Sequence, residues 1–311
     1  MIPSASMLVT TPAAFLAALP AHVEDRPPWG RATMAAAMLV SPIGFRLSDQ
    51  PVDNLYMKTE AIDRERAFAQ HHALAEALGA CGVPVLVIPG REGLDDAVFP
   101  NNAFATVPGR LIVGAMRHPV RRAEAAREDL RALFTGPFRH ELVDLSQRPV
   151  VAELTGPLVV DRARGLGLCG LTQRADEAGC AAMHEAFGLR LTFRFALQPS
   201  EYHTNVVLAV LAGRACVLHP GSFADPEVPA AIARAYEGRT LVLGDAEKAA
   251  FVANCIAVTE RHVMMSQTAA AALRPASRAA LERWGFELVA VDVSEFEKAG
   301  GSLRCMIAEL F

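Results

Sequence analysis

A chain of 311 residues, 52% hydrophobic and only 21% charged, can bury a substantial core and is excluded from the disordered class. A formal net charge of -4 gives no electrostatic reason to expect a nucleic-acid backbone as partner. Cys81, Cys169, Cys180, Cys216, Cys255 and Cys305 stand singly with no C-x-x-C pair, which argues against a disulfide framework or a zinc site.

No charged residue precedes Glu24. The basic residues of a secretory signal are missing there, however, and Pro3, Pro12 and Pro20 interrupt the apolar run. Neither a signal peptide nor a membrane span is expected, and the cytoplasm is the default location. Thr11-Pro12 reads as an N-cap followed by proline at the first helical position, opening a short helix over 13–19. Residues 1–30 are taken as an N-terminal extension and 31–311 as a single domain.

Short runs rich in Val, Ile, Leu and Phe predict strands at 36–40, 83–88, 111–114, 157–161, 191–197, 206–211, 215–219, 240–243, 255–258, 286–291 and 302–309. Longer amphipathic runs predict helices over 61–80, 120–134, 175–187, 226–236, 245–252 and 271–284. Leu74 and Leu78 mark the apolar stripe of the first of these. Arg117, Arg121, Arg122 and Arg127 are interleaved with Glu124, Glu128 and Asp129, the pattern of a solvated helix face. The segment 45–57 lacks either period and is expected to be a lid. Alternation of strands and helices predicts an α/β protein, and the adjacent strands 206–211 and 215–219 suggest a hairpin and hence mixed pairing.

Four segments stand apart from this pattern. Gly300-Gly301 permits close backbone approach before an apolar strand carrying Cys305. His203 and Asn205 sit two residues apart ahead of the strand at 206–211, on one side if the chain is extended. Glu153 lies in a Gly/Pro turn before the strand ending at Asp161, and acidic and amide groups from Asp95 to Asn102 bracket Ala97, Val98 and Phe99. Singly, each has a bland reading: an inert core thiol, a histidine satisfied at a strand end, a solvated glutamate.

Together, in this order, the four resemble the guanidine-modifying, or pentein, superfamily. The likeness lies in D-A-V-F-P-N-N at 96–102, E-x-T-G-x-L-V-x-D-R at 153–162, Y-H-T-N at 202–205 and G-G-S-x-R-C-M at 300–306. It is similar above all to the arginine-deiminase-related and citrulline-utilisation hydrolases, and more distantly to dimethylarginine dimethylaminohydrolase, N-succinylarginine dihydrolase and the amidinotransferases. The resemblance implies a pentein-type α/β propeller, five ββαβ-like units around a pseudo-fivefold axis.

It also implies roles. Cys305 would be the nucleophile, His203 the general acid and base, and Glu153 the group that orients and stabilises the imidazole. Arg117 and Arg174 would grip a substrate carboxylate, Asp96, Asn102 and Asn205 would surround the reacting group, and Asn54 would belong to the lid. The sequence has amides at 102 and 205, where arginine deiminases carry carboxylates. The reacting group is therefore either a neutral ureido, or a guanidinium whose charge is met by Asp96 and Glu153. A small-molecule substrate is expected, with no cofactor, metal, nucleic acid or membrane partner; oligomeric state is left open. The expected activity is hydrolysis of a C–N bond in a guanidino or ureido amino acid through a covalent thiouronium-type intermediate. Amidino transfer by the same residues is the alternative, and a non-catalytic site for an arginine-like ligand is argued against because a binding site needs no nucleophile. A thiol redox role would need a resolving cysteine that the adjacent sequence does not supply.

Overall fold

A computed structural model describes residues 6–47 and 54–311. Among them the strands form five separate small sheets. In each, a first strand pairs antiparallel with a second, and the second pairs parallel with a third reached through one or two helices. A parallel partner needs such a crossover, whereas the antiparallel pair needs only a tight turn.

In chain order the first complete sheet joins Phe104–Val107, Arg110–Val113 and Glu141–Asp144. The next joins Leu158–Asp161, Leu166–Leu171 and Leu191–Ala196. Leu208–Leu211, Ala215–Leu218 and Thr240–Val242 form the third, and Ile256–Ala257, His262–Ser266 and Glu287–Val291 the fourth. In the fifth, Ala308–Leu310 from the C-terminal end pairs with Ala36–Val40, which pairs with Val85–Ile88. Sequence-distant ends are thus tied into one sheet.

The N-terminal segment joins this arrangement. Met7–Val9 adds a parallel edge strand beside Leu191–Ala196, and the helix Pro12–Leu19 lays Phe15 on Phe193 with ring centroids 4.5 Å apart. Thr11 caps that helix by accepting from the Ala14 amide, as its position before proline predicts. Complete burial of a side chain such as Phe15 stabilises by roughly 2–3 kcal/mol.

The hairpin and the mixed pairing are as expected, and the stripe on Arg64–Ala80 buries Leu74 and Leu78. Several boundaries differ. The run 120–134 is two helices, Pro119–Ala125 and Glu128–Thr135, separated where Arg127 takes an extended conformation. The run 271–284 starts earlier, at Gln267, and breaks after Ala272 because the residue before Pro275 avoids the helical region. Phe104–Val107, Glu141–Asp144, Leu166–Leu171 and His262–Ser266 are further strands, some with polar residues or glycine that obscure the apolar signal. Of the lid segment 45–57, residues 48–53 lie outside the described residues.

One feature of the repeat positions the site. Just before the first strand of each sheet, in the order above, the chain carries in turn Asn102, Glu153, His203, Asn254 and Cys305. Residues far apart in sequence thus each lie within about five positions of the start of a first strand.

Candidate active site

The turn bearing Glu153 is fixed from both sides. Ala152 bridges to Ala115 through two backbone hydrogen bonds, Glu153 N donates to Arg174 O, and Asp176 both caps the helix Glu177–Phe187 and accepts from Val151 N. Two other motifs are then stitched to this turn. Thr155 Oγ1 donates to Asn101 O at 2.9 Å, and Asn205 Nδ2 donates to Thr155 O at 2.9 Å. Thr204 Oγ1 donates to Pro157 O at 2.6 Å. Gly156 is required because a Cβ there would stand 2.7 Å from Nε2 of His203.

The result is a buried dyad. His203 Nε2 and Glu153 Oε2 are 3.0 Å apart, and Arg174 Nη1 reaches the same oxygen at 3.1 Å. Asn102 Nδ2 lies 3.4 Å from His203 Nε2. Burial opposes ionisation of Glu153, but Arg174, His203 and Arg121 outweigh it and hold the carboxyl well below its usual range. For His203 the balance goes the other way. Burial, with Arg174 and Arg121 adding to it, outweighs Glu153 and lowers the imidazole pKa. The resting histidine is neutral at pH 7.

Cys305 sits on a 3-10 turn, Leu303–Met306, rather than on a strand. The turn forms because Cys305 N donates to Ser302 O, while Ser302 Oγ is held by Glu297 at 2.8 Å. Asn254 fastens it from the neighbouring unit. Its Nδ2 lies 2.9 Å from Asn205 O and 3.5 Å from Cys305 Sγ, and its Oδ1 accepts from Arg304 N at 3.1 Å. Gly300 adopts a φ of +76°, and its carbonyl accepts from Tyr202 Oη at 2.6 Å and Asn54 Nδ2 at 3.3 Å. Burial raises the Cys305 pKa, only partly offset by the Ser302 and Asn254 hydrogen bonds and by Arg304 and Arg121. The resting thiol therefore keeps its proton.

Cys305, His203, Asp96, Asn102, Arg174 and Asn54 line one pocket, with Glu153 behind the imidazole. Two expected residues are elsewhere. Arg117 is exposed and does not line the pocket, although its backbone N donates to Glu153 Oε1 at 3.3 Å. Asn205 lies on a 3-10 turn, not on an extended strand, so its amide turns away from His203 to hold Thr155 and lines a different cavity.

Further lining comes from Arg121, Tyr202, Phe99 and Met57. Tyr202 and Phe99 fall inside the motifs already singled out. Arg121 belongs to the supposed solvated helix face, which is a correction: Arg121, Arg127 and Glu124 are buried, and Arg121 Nε lies 2.6 Å from Glu124. An Arg–Glu pair at i,i+3 carries the same signal on a wet or a dry helix face. Asn254 has no sequence signal beyond its place before a strand.

Chemically, the pocket presents a thiol, a neutral imidazole, two guanidinium groups and the carboxyl of Asp96, whose pKa burial raises against the pull of Arg121 and Arg174. Among the described residues no group of three His, Cys, Asp or Glu side chains could hold a metal ion, and no helix is long and apolar enough to cross a membrane.

Comparison with known proteins bears on this arrangement. The family described as N,N dimethylarginine dimethylhydrolase, eukaryotic, matches residues 43–311. The N(G),N(G)-dimethylarginine dimethylaminohydrolase of Mycobacterium tuberculosis is 29% identical over 259 residues, covering 81% of this chain and 78% of its own. The N-terminal domain of ArgZ, an arginine dihydrolase from the ornithine–ammonia cycle in cyanobacteria, has a similar structure in its substrate-bound form. Its TM-score is 0.78 at 18% identity, covering 88% of this chain and 97% of that domain. Dimethylarginine dimethylaminohydrolase from Pseudomonas aeruginosa, complexed with citrulline, gives a TM-score of 0.69 at 20% identity, covering 89% and 100%. The chain shares their mixed α/β fold.

Proposed function

Because the chain belongs to the N,N dimethylarginine dimethylhydrolase family, pentein hydrolases acting on C–N bonds in linear amidines, we propose that it cleaves a guanidino amino acid through a covalent bond to Cys305. The observation that carries this reading is the convergence of Cys305, His203 and Asp96 on one pocket, with Glu153 at the imidazole. In keeping with the family, the five sheets are read as the five ββαβ units of a propeller, with the site at its centre.

A guanidinium carbon is flattened by resonance and weakly electrophilic, so a thiolate greatly improves on water as attacking group. Thiol and imidazole are both neutral at rest. With Nε2–H donated to Glu153, Nδ1 carries the lone pair and makes no hydrogen bond to the described residues. A substrate cation entering against Asp96 favours the thiolate, and the Cys305 proton passes to Nδ1. Sγ then bonds to the guanidinium carbon. The tetrahedral adduct expels an amine, which leaves with the proton from Nδ1. Water attacks the resulting thiouronium carbon and gives its proton to Nδ1. The C–S bond breaks, the proton on Nδ1 returns to sulfur, and the remaining hydroxyl proton is released to solvent as the neutral ureido product departs. Glu153 stabilises the imidazolium formed along the way.

Arg121 and Arg174 are assigned the substrate's carboxylate, with the guanidinium end directed to Asp96 and Asn102. Asn54 and Met57, at the edge of the pocket, are read as the end of a lid. Relatives act on or bind dimethylarginine, arginine and citrulline. The test is a panel of arginine, methylarginines, citrulline, agmatine and N-acylated arginines, assayed for ammonia or amine release beside a Cys305→Ser control. Thiol-dependent release from a guanidino amino acid is expected. Release that persists in the control, or none from any member, would refute the reading.

A further inference from the structure

Neighbouring residues of the motifs divide between two cavities. Cys305 and His203 line the catalytic pocket, whereas Arg304 and Asn205 line an inner one. Arg162 lines the inner cavity and also a third, of about 330 Å³, which reaches the surface at Arg31.

Arg162 is an unusual residue to bury. It is 3% exposed, its Nη1 donates to Thr106 O at 3.0 Å, and its guanidinium lies 4.2 Å from the Phe311 ring centre and 5.3 Å from that of Phe187. Its Nε and Nη2 meet no hydrogen-bond partner among the described residues. Buried charge with unused donors is costly, so these two donors call for an explanation. Burial lowers the Arg162 pKa to about 10, with Glu309 supporting the cation and Arg304 opposing it.

The outer cavity has the matching character. Arg31 and Arg110 add two more guanidinium groups, and no described lining side chain is acidic; Glu141 lies 3.6 Å from Arg110 outside that lining. Trp29, Phe187 and Phe311 supply flat apolar walls. The volume falls at the lower end of small-ligand pockets.

We propose that this cavity is a second binding site, for a small organic anion with a flat apolar body. Its acidic group would meet Arg31, Arg110 and Arg162, and its body would lie among the three aromatic rings. The cavity shares no lining residue with the catalytic pocket.

Benzoate is a suitable probe, with uncharged benzamide as its shape control. Calorimetric titration would compare the native chain with the Arg31→Ala/Arg110→Ala double variant, whose turnover should be unchanged. Benzoate is expected to bind the native chain, and to bind the double variant at least about tenfold more weakly. Benzamide should bind the native chain at least about tenfold more weakly than benzoate does. Benzoate affinity unaltered in the double variant would put the anion elsewhere, against Arg121 and Arg174 for instance, and overturn the proposal. So would benzoate failing to bind, or benzamide binding equally well.

Discussion

The buried carboxylate of Glu153 stands 3.0 Å from Nε2 of His203, and its same oxygen stands 3.1 Å from Arg174. One anion thus sets the tautomer of the imidazole and neutralises a guanidinium at the pocket wall. One substitution, read by two measurements, tests both jobs.

Glu153→Gln keeps a hydrogen-bonding group beside His203 but removes the charge. Turnover should fall by roughly 10²–10⁴, the scale of losing effective acid–base catalysis. Arg174 would also lose its buried partner, so stability should drop by about 3–5 kcal/mol. Steady-state kinetics together with urea denaturation check both effects. An unchanged kcat would mean that His203 needs no orienting anion.

Asp96 separates the two candidate reacting groups. It lines the pocket with Asn102, whereas Asn205 does not. If the substrate is cationic, Asp96→Asn should cost about 10–100-fold in kcat/KM for a guanidino compound, the worth of a charge-assisted hydrogen bond. A ureido compound should lose far less. Equal losses for the two would count against a cationic reacting group.

Asn254 acts on Cys305 from a different unit of the fold. Asn254→Ala removes the hydrogen bonds to Sγ, Arg304 N and Asn205 O together. A fall in kcat of about tenfold or more is expected from misplacement of the sulfur. KM should change little, because Asn254 does not line the catalytic pocket. A change confined to KM would contradict this positioning role.

The thiol of Cys305 is raised above its ordinary value of 9.0 by burial. An acid shifted upward stays protonated to higher pH, so alkylation of the free enzyme by neutral iodoacetamide should rise with a midpoint above 9.0. Bound substrate cation should favour the thiolate instead. Peptide mapping at Cys305 across pH gives the midpoint directly, and a value well below 9.0 in the free enzyme would show that the thiolate is already present at rest.

Much of the site could be read in the sequence, because its residues cluster in short segments with unusual chemistry. Glu153, His203 and Cys305 each lie in a turn with glycine or polar neighbours beside an apolar strand. What the sequence could not convey was direction. Asn205 and His203 differ by two positions, yet a 3-10 turn sends Asn205 toward Thr155. Arg117 precedes the helix Pro119–Ala125 and is exposed, whereas Arg121, four positions on and inside that helix, faces the pocket, a difference only packing decides. The fold was legible as alternating elements. The pairing of Ala308–Leu310 with Ala36–Val40, which joins distant ends of the chain, depends on tertiary contacts that no local pattern records.

The most direct measurement is rapid-quench mass spectrometry on the peptide containing Cys305 during turnover of a guanidino substrate. A transient mass increase equal to the amidino fragment, confined to that cysteine and formed at the rate of turnover, is the expected result. Turnover without any adduct on Cys305 would contradict covalent catalysis by this thiol.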